Sequence, residues 1–468
     1  FVDDSGYGDY GVYGAPTTDT PNVNAMAAQG ARFTQWYTAH AICTPSRAAL
    51  MTGRLPIRYG LASTSTGGQA VFGCRADLGL PKNETTIANL LKTKGYATYM
   101  LGKWHLGATK DTLPTSHGFD SYYGIPYSVD MGFAYNNRTE ESWSEEAYYG
   151  CTPLPLVHSS VSSSGTGSIN VTVVEQPCNL GTLNQRYTDS AVGFIQQSIA
   201  NSSKFFLYFA FGHVHTPQFA GVATAGKSKR GIFGDSVAEV DTSIGAVVKA
   251  IGDSNTLVLM SSDNGAPDAH QHLQTGQTIH AITGSNSMFL GSKTQTWEGG
   301  VRVPGIIWWP SMISPQVQRA TVSTMDMFAT IADAVNVEMP TDRVYDSVSL
   351  LPLMTGTTTT PPRNMSFFYA GSRLQAVRVG QYKAHLFTEI PNEGHAGPER
   401  GFLINSRNDH SPYGVQTPML LFDIEQDPSE MYPINKVDGV DIRAMITTVI
   451  DAHTKQLGTP PVGVLDRN

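Results

Sequence analysis

Short apolar runs alternate with helices whose apolar positions recur at three- and four-residue spacing, the signature of a mostly parallel sheet covered on both faces. Strands are predicted over Ala97–Leu101, Phe205–Phe211, Thr256–Ser261 and Gly305–Trp309. Helices are predicted over Thr86–Lys94, Tyr187–Ala200, Asp235–Ile251 and Thr324–Val335. In the third helix Val237, Val240, Ile244, Val247, Val248 and Ile251 form one stripe, which reads as core. The Thr/Pro-rich stretch from Thr355 to Pro362 reads as a linker or exposed loop. Beyond it, Met365–Tyr369, Leu374–Val379, Tyr382–Phe387 and Leu420–Asp423 read as short strands, and Val440–Gln456 as a closing helix. The expected organisation is a large α/β domain over residues 1–354 and a smaller α+β domain over 355–468 with an antiparallel sheet and one helix. The chain opens inside a strand, Phe1–Asp4, so a leader and further strand residues are expected upstream.

The polar residues matter most for where they stand. Asp3 and Asp4 end the first strand, Lys103 and His105 follow the strand from Ala97, His213 and His215 the strand from Phe205, and Asp263 and Asn264 the strand from Thr256. Taken singly, each has a plain structural explanation, since Asp-Asn-Gly is a good turn. Open α/β sheets, however, bind ligands at the carboxyl ends of their strands, and four strands converging there describe a site.

Asp3, Asp4, Asp263 and Asn264 all offer oxygen, which suits a hard divalent cation such as Ca²⁺ or Mg²⁺. No HExxH or CxxC pairing favours zinc. Arg47, Lys103 and Lys293 supply positive charge, and His105 and His215 can exchange protons near neutral pH. A metal with several cations points to an anionic oxyester, sulfate or phosphate. Cys43 stands just before Pro45 and Ala48–Met51, hence at a helix N-terminus that favours an anion. Physics alone allows a reactive, low-pKa thiol there or a buried inert one.

Composition narrows the class. The net charge of −8 and the absence of any basic helix argue against nucleic acid. With 40% apolar residues a large core is expected, and no apolar run approaches the roughly 20 residues that cross a bilayer. Sequons at Asn83, Asn137, Asn170, Asn201 and Asn364 favour the secretory route, as glycoproteins do. Of the four cysteines, Cys151 and Cys178 flank the Ser/Gly-rich stretch from Ser159 to Gly167 and could close it with a bridge, two free thiols being the alternative. Cys74 has no obvious partner.

The segment Cys43-Thr-Pro-Ser-Arg-Ala-Ala-Leu-Met-Thr-Gly-Arg54 resembles the signature of the type I, formylglycine-dependent sulfatases. The resemblance continues through Gly95–Gly107, His213–Pro217, Ser262–Gly265, Lys293–Pro304, Ala376–His385 and Leu421–Glu430, so it spans nearly the whole chain. It is closest to the arylsulfatase A and N-acetylgalactosamine-6-sulfatase branch. The resemblance implies an alkaline-phosphatase-like α/β fold and a hydrolase acting on sulfate monoesters, either aryl sulfates or sulfated carbohydrates and glycolipids. It implies that a formylglycine-generating enzyme oxidises Cys43 during maturation. Hydrated formylglycine is a geminal diol: one hydroxyl attacks sulfur and releases the alcohol, and the other loses its proton and expels sulfate. By the same resemblance one Ca²⁺ is held by Asp3, Asp4, Asp263, Asn264 and residue 43. Arg47 stabilises the diol, His105 assists its deprotonation, Lys103 and Lys293 bind sulfate oxygens, and His215 protonates the leaving oxygen. His213 is a candidate for supporting these groups. The branch's histidine before the last tail strand has no match in Val415–Met419.

Two rival readings remain: a phosphoester hydrolase of the same superfamily, and a catalytically silent matrix protein that binds sulfated glycans. The first expects Ser or Thr at position 43 and a second metal, and the second expects a site residue to be missing. The destination reads as lysosomal or extracellular. A homo-oligomer is allowed, though nothing in the sequence fixes it, and the loops Ser63–Ala76 and Tyr127–Cys151 are expected to select the ester.

Overall fold

The computed structural model describes residues 1–63, 69–132, 134, 153–162, 167–267, 284–388, 414–437, 440, 442–461 and 463. Strands β1 (Ala31–Phe33), β2 (Trp36–Tyr37), β3 (Ala97–Gly102), β4 (Ser121–Gly124), β5 (Leu156–Val161) and β6 (Ile169–Glu175) occupy the first part of the chain. They are followed by β7 (Phe205–Ala210), β8 (Val258–Ser261), β9 (Gly305–Trp308), β10 (Gln316–Gln318) and β11 (Val322–Ser323). One sheet runs β6-β5-β4-β3-β7 and another β8-β9-β1-β10, while β2 and β11 form a two-stranded pair.

Phe1–Asp3 lies between the two larger sheets and joins them. Phe211 N–H donates to Phe1 O at 2.9 Å and Val2 N–H to Ser261 O at 2.8 Å, and Val2 bridges Ser262 in parallel. The centre is therefore parallel (β4-β3-β7, then Val2 beside Ser262), as the alternating pattern predicts. Towards the edges β5, β6 and β9 pair antiparallel, so the sheet is mixed. The predicted parallel character holds where the site is built.

Helices cover both faces. On one, α2 (Cys43–Thr52), α3 (Ile87–Lys92), α7 (Asp326–Ala334) and α8 (Leu351–Met354) pack Leu50, Leu90, Phe328 and Met354 with Phe1 and Ile307. On the other, α1 (Pro21–Gln29), α4 (Leu180–Ala200) and α5 (Gly231–Ile251) pack Val23, Ile195 and Val240 with Val2 and Ile306. Adjacent residues, Phe1 and Val2 or Ile306 and Ile307, thus serve opposite cores, as strand alternation requires. The predicted α5 stripe is buried at Val237, Val240, Ile244 and Ile251, with Val247 and Val248 at its partly exposed margin. Helix α4 starts seven residues before the predicted Tyr187, because the Asn179 side chain accepts from Gly181 N–H at 3.0 Å and caps it there.

The tail forms the expected antiparallel sheet, in order β12 (Met365–Ala370), β13 (Arg373–Val379), β14 (Tyr382–Thr388) and β15 (Gly414–Asp423). Helix α9 (Arg443–Leu457) packs Ile446 against Val377, Ala384 and Leu421 of that sheet. The short α6 (Glu298–Val301) follows Lys293 by five residues.

The cysteine reading needs correction. Cys178 is a buried free thiol, so no bridge joins it to Cys151, which lies outside the described residues. Cys74, for which the sequence offers no obvious partner, is disulfide-bonded. Sequon residues Asn83, Asn170, Asn201 and Asn364 are exposed, while Asn137 lies outside the described residues.

His117, buried beside Trp104, makes the core acid-sensitive. Burial, helped by the Lys82 ammonium, pushes its imidazole down from 6.5 to about 4. The unfolded chain therefore takes up this proton first as pH falls. The contribution of the neutral ring is complete above about pH 6.5 and shrinks towards pH 4, by about 3 kcal/mol in all. Thermal unfolding is expected to show a shallower fall in Tm between pH 7 and 4.5 for His117→Phe than for the unaltered chain. Equal slopes would exclude His117 as the source.

Candidate active site

The parallel strands deliver their C-terminal residues to one edge, and those residues are buried together. Asp3, Asp4, Arg47, Lys103, His105, Asp263 and Asn264 are each 3% exposed or less. Gly102 makes the turn out of β3 possible. Its φ of +92° is open to glycine, and a Cβ there would lie 1.8 Å from Ala210 O. Lys103 N–H then donates to Ala210 O at 2.8 Å, which aims its side chain into the site.

Arg47, one turn into α2, ties the acids together. Its guanidinium lies 2.9 Å from Asp263 Oδ2 and 3.2 Å from Asp3 Oδ1, and it donates to Lys103 O at 3.1 Å. Lys103 Nζ lies 2.5 Å from Asp3 Oδ2, and Lys293 Nζ lies 2.7 Å from Asp4 Oδ2. Asp4 has a left-handed φ of +60°, and its N–H donates to Asp263 Oδ1 at 3.1 Å. Asn264 Nδ2 donates to Asp4 Oδ1 at 2.7 Å.

The electrostatics are uneven. Burial alone would push Asp3 up, but Lys103 and Arg47 outweigh it and hold the carboxyl well below its usual range. Asp263 goes the other way, since burial and the facing Asp3 push it up to about 7 in spite of Arg47. Burial and then the Lys103 and Arg47 charges hold His105 well below its usual pKa, so its ring is neutral.

Three observations test the fit of a metal. Oxygens of Asp3 and Asp263 and the sulfur of Cys43 all lie within 4.8 Å of one another. The buried Asn264 Oδ1 has no hydrogen-bond partner among the described residues. The raised Asp263 is a carboxylate short of positive charge. An oxygen-rich set of this kind fits a hard cation.

Cys43 is the first residue of α2 and is 3% exposed. Of the two readings open from sequence, the buried one applies: burial pushes the thiol up to about 11, against the pull of Lys103 and Lys293. A thiol here is not ionised at neutral pH and is a poor nucleophile.

His215 Nε2 lies 3.5 Å from Asp4 Oδ2 and its Nδ1 bonds Thr216 O at 2.6 Å. His213 is turned away, with Nε2 2.9 Å from Glu239 Oε2, while its carbonyl accepts from Asp3 N–H at 2.7 Å. It supports the site through the backbone. Sequence reasoning missed Ser128, whose Oγ accepts from Lys103 Nζ at 3.0 Å, and Asp130, 3.8 Å from His215 Nδ1. Both follow β4, and extending the strand-end rule to that strand would have found them. The loops expected to select the ester, Ser63–Ala76 and Tyr127–Cys151, fall partly outside the described residues.

Residues 1–337 match the family described as Sulfatase, and residues 361–464 the C-terminal region of aryl-sulfatase. The chain belongs to the sulfatase family. This sulfatase is 38% identical to arylsulfatase A of Bos taurus, over 94% of the chain and 83% of that protein. It is 35% identical to N-acetylgalactosamine-6-sulfatase of Canis lupus familiaris, over 100% and 87%. Among solved structures, the PsFucS1 sulfatase from Pseudoalteromonas sp. superposes with a TM-score of 0.79 at 26% identity, covering 99% of this chain and 91% of that one. The sulfatase hydrolyses sulfate esters, and among its described residues no helix is long and apolar enough to cross a membrane.

Proposed function

We propose that this sulfatase cleaves sulfate monoesters of phenols or sugars with residue 43 as nucleophile, after oxidation of Cys43 to formylglycine by a formylglycine-generating enzyme. The carrying observation is the position of Cys43: at the N-terminus of α2, buried, with its sulfur within 4.8 Å of Asp3 and Asp263 oxygens. A thiol held that far from ionisation supports a different functional group at this position. The hydrated aldehyde would supply one hydroxyl to attack sulfur and a second to expel sulfate.

Asp3, Asp4, Asp263, Asn264 and residue 43 would hold Ca²⁺, which would supply Lewis-acid stabilisation of sulfate oxygens. The chain's own groups do the rest. Lys103 and Lys293 point ammonium groups into the acid cluster and can bind equatorial sulfate oxygens as charge builds. Arg47 fixes Asp3 and Asp263 relative to α2. His105, neutral and with neither ring nitrogen hydrogen-bonded among the described residues, can take a proton from residue 43. His215 can protonate the leaving oxygen, with Thr216 O fixing its Nδ1. The exposed sequons support passage through the secretory pathway to a lysosomal or extracellular destination. The Thr/Pro-rich stretch after α8 is our boundary between residues 1–354 and the smaller C-terminal domain.

The test is the mass of the tryptic peptide Phe33–Arg47 from natively produced protein, together with release of inorganic sulfate from a chromogenic aryl sulfate. Expected are a mass lowered by the thiol-to-aldehyde difference, a carbonyl that reacts with hydrazide, and turnover of the aryl sulfate well above that of the matching phosphate ester. An intact thiol in an active preparation would overturn the reading.

A further inference from the structure

Lys293 reaches Asp4 from a loop, not from the end of a strand, and its N–H donates to Ala266 O at 3.0 Å. The residues that follow Lys293 are gripped in addition by the C-terminal sheet. Thr296 Oγ1 donates to Gln375 Oε1 of β13 at 3.1 Å, with both side chains buried. The Trp297 ring lies over His385 of β14, centroids 4.1 Å apart and planes at 32°. Glu298, fully buried, meets Lys383 Nζ of β14 at 2.9 Å through Oε1. Its Oε2 accepts from Tyr37 OH at 2.5 Å and lies 3.1 Å from Arg302. Glu430, just past β15, closes the grip: its Oε2 accepts from Glu298 N–H at 2.7 Å. Its Oε1 meets Lys383 at 3.1 Å and His385 at 2.7 Å.

Lys383, Glu298 and His385 are all 0% exposed. Buried ionic networks of this kind seldom add net stability over an apolar replacement, and their best-attested use is to fix one geometry. Burial would raise Glu298, yet Lys383, Arg302 and Arg378 hold it down at about 2, so the network stays charged. Between the grip and the site, Thr294 takes a left-handed φ of +76° and its N–H donates to Ala41 O at 2.7 Å. With Lys293 N–H on Ala266 O, Thr294 N–H on Ala41 O and Glu298 held by Lys383, the loop leaves Lys293 little freedom to drift from Asp4.

We propose that Gln375, Lys383, His385 and Glu430 of the C-terminal domain are positioning residues, which set the Lys293 ammonium against the reaction centre by fixing Thr296–Glu298. The proposal rests on the catalytic role read for Lys293. Misplacing a reacting or stabilising group by about 1 Å costs about 100-fold in rate. Lys383→Met is expected to lower kcat on an aryl sulfate by about that factor with KM within about twofold. Gln375→Leu, which keeps every charge of the network, is expected to lower kcat by about tenfold.

The deciding measurement is a double-mutant cycle with Lys293→Ala, with Tm recorded throughout. If the grip acts through Lys293, Gln375→Leu costs nothing further in the Lys293→Ala background, a coupling that a merely structural role would not produce. Additive losses, or Gln375→Leu without effect, would overturn the proposal even where Lys293→Ala is inactive. Full activity of Lys293→Ala would instead defeat the site reading on which it rests. Should Lys383→Met fail to fold, the Gln375 cycle decides alone.

Discussion

Cys43→Ala is expected to abolish sulfate release, lowering kcat by about 10⁵- to 10⁶-fold, the loss seen when a covalent nucleophile is removed from an otherwise intact site. The change deletes one sulfur from the first turn of α2. It leaves Arg47, Lys103 and the acids with the partners they have now, because no hydrogen bond in that network runs through residue 43. The fold should therefore survive, and Tm should stay within a few degrees of the unaltered protein. A second arm separates chemistry from packing. Protein produced without the formylglycine-generating enzyme keeps the thiol, which burial holds up at about 11, and should be as inactive as the alanine variant at neutral pH. The measurement is kcat on an aryl sulfate for the three preparations. Activity in thiol-bearing protein above about one part in 10³ of the native rate would sink residue 43 as an aldehyde-derived nucleophile, since simple acid-base residues alone supply that order of rate.

What was legible in the sequence follows from how local each signal is. Strands β3, β7, β8 and β9 are short apolar runs bounded by Gly or polar residues, and their predicted ends shift by at most two positions. The site was legible for the same reason. Asp3, Lys103 and Asp263 each stand directly after a strand segment and His215 five residues after β7, and parallel neighbours must end at the same edge. The start of α4 was not legible, because Gly181 and its polar neighbours weaken the helical pattern, and only the cap at Asn179 fixes it. Strands β5 and β6 were not predicted, and the antiparallel direction of β9 escaped because strand direction depends on connections across the chain and not on composition. Cysteine pairing failed on the same ground: Cys178 is close to Cys151 in sequence yet is packed as a free thiol among Leu180, Leu183 and Tyr187. The grip of the C-terminal sheet on Thr296–Glu298 joins residues about eighty or more positions apart, and periodicity carries no information at that range.

The second large effect concerns the cation. Asp3 and Asp4 are well supplied with positive charge by Lys103, Arg47 and Lys293, whereas Asp263 is pushed up to about 7 and the Asn264 side-chain Oδ1 has no donor among the described residues. The deficit is thus centred on Asp263, Asn264 and residue 43, which is where a divalent ion would be drawn. Lewis-acid stabilisation of the sulfate oxygens worth about 4 kcal/mol corresponds to about 10³ in rate. Exhaustive chelation is expected to lower kcat by that order, and added Ca²⁺ to restore it. Asp263→Asn should lower bound calcium below one ion per chain and cost a similar factor that added Ca²⁺ does not repair. Arg47 keeps Asp3 as a partner in that variant, so the fold has a means of holding α2 in place. Metal content by mass spectrometry, read beside kcat and Tm, distinguishes the outcomes. A chelated protein that turns over at the native rate would show that the three cationic side chains suffice, and that the oxygen cluster serves only to hold them.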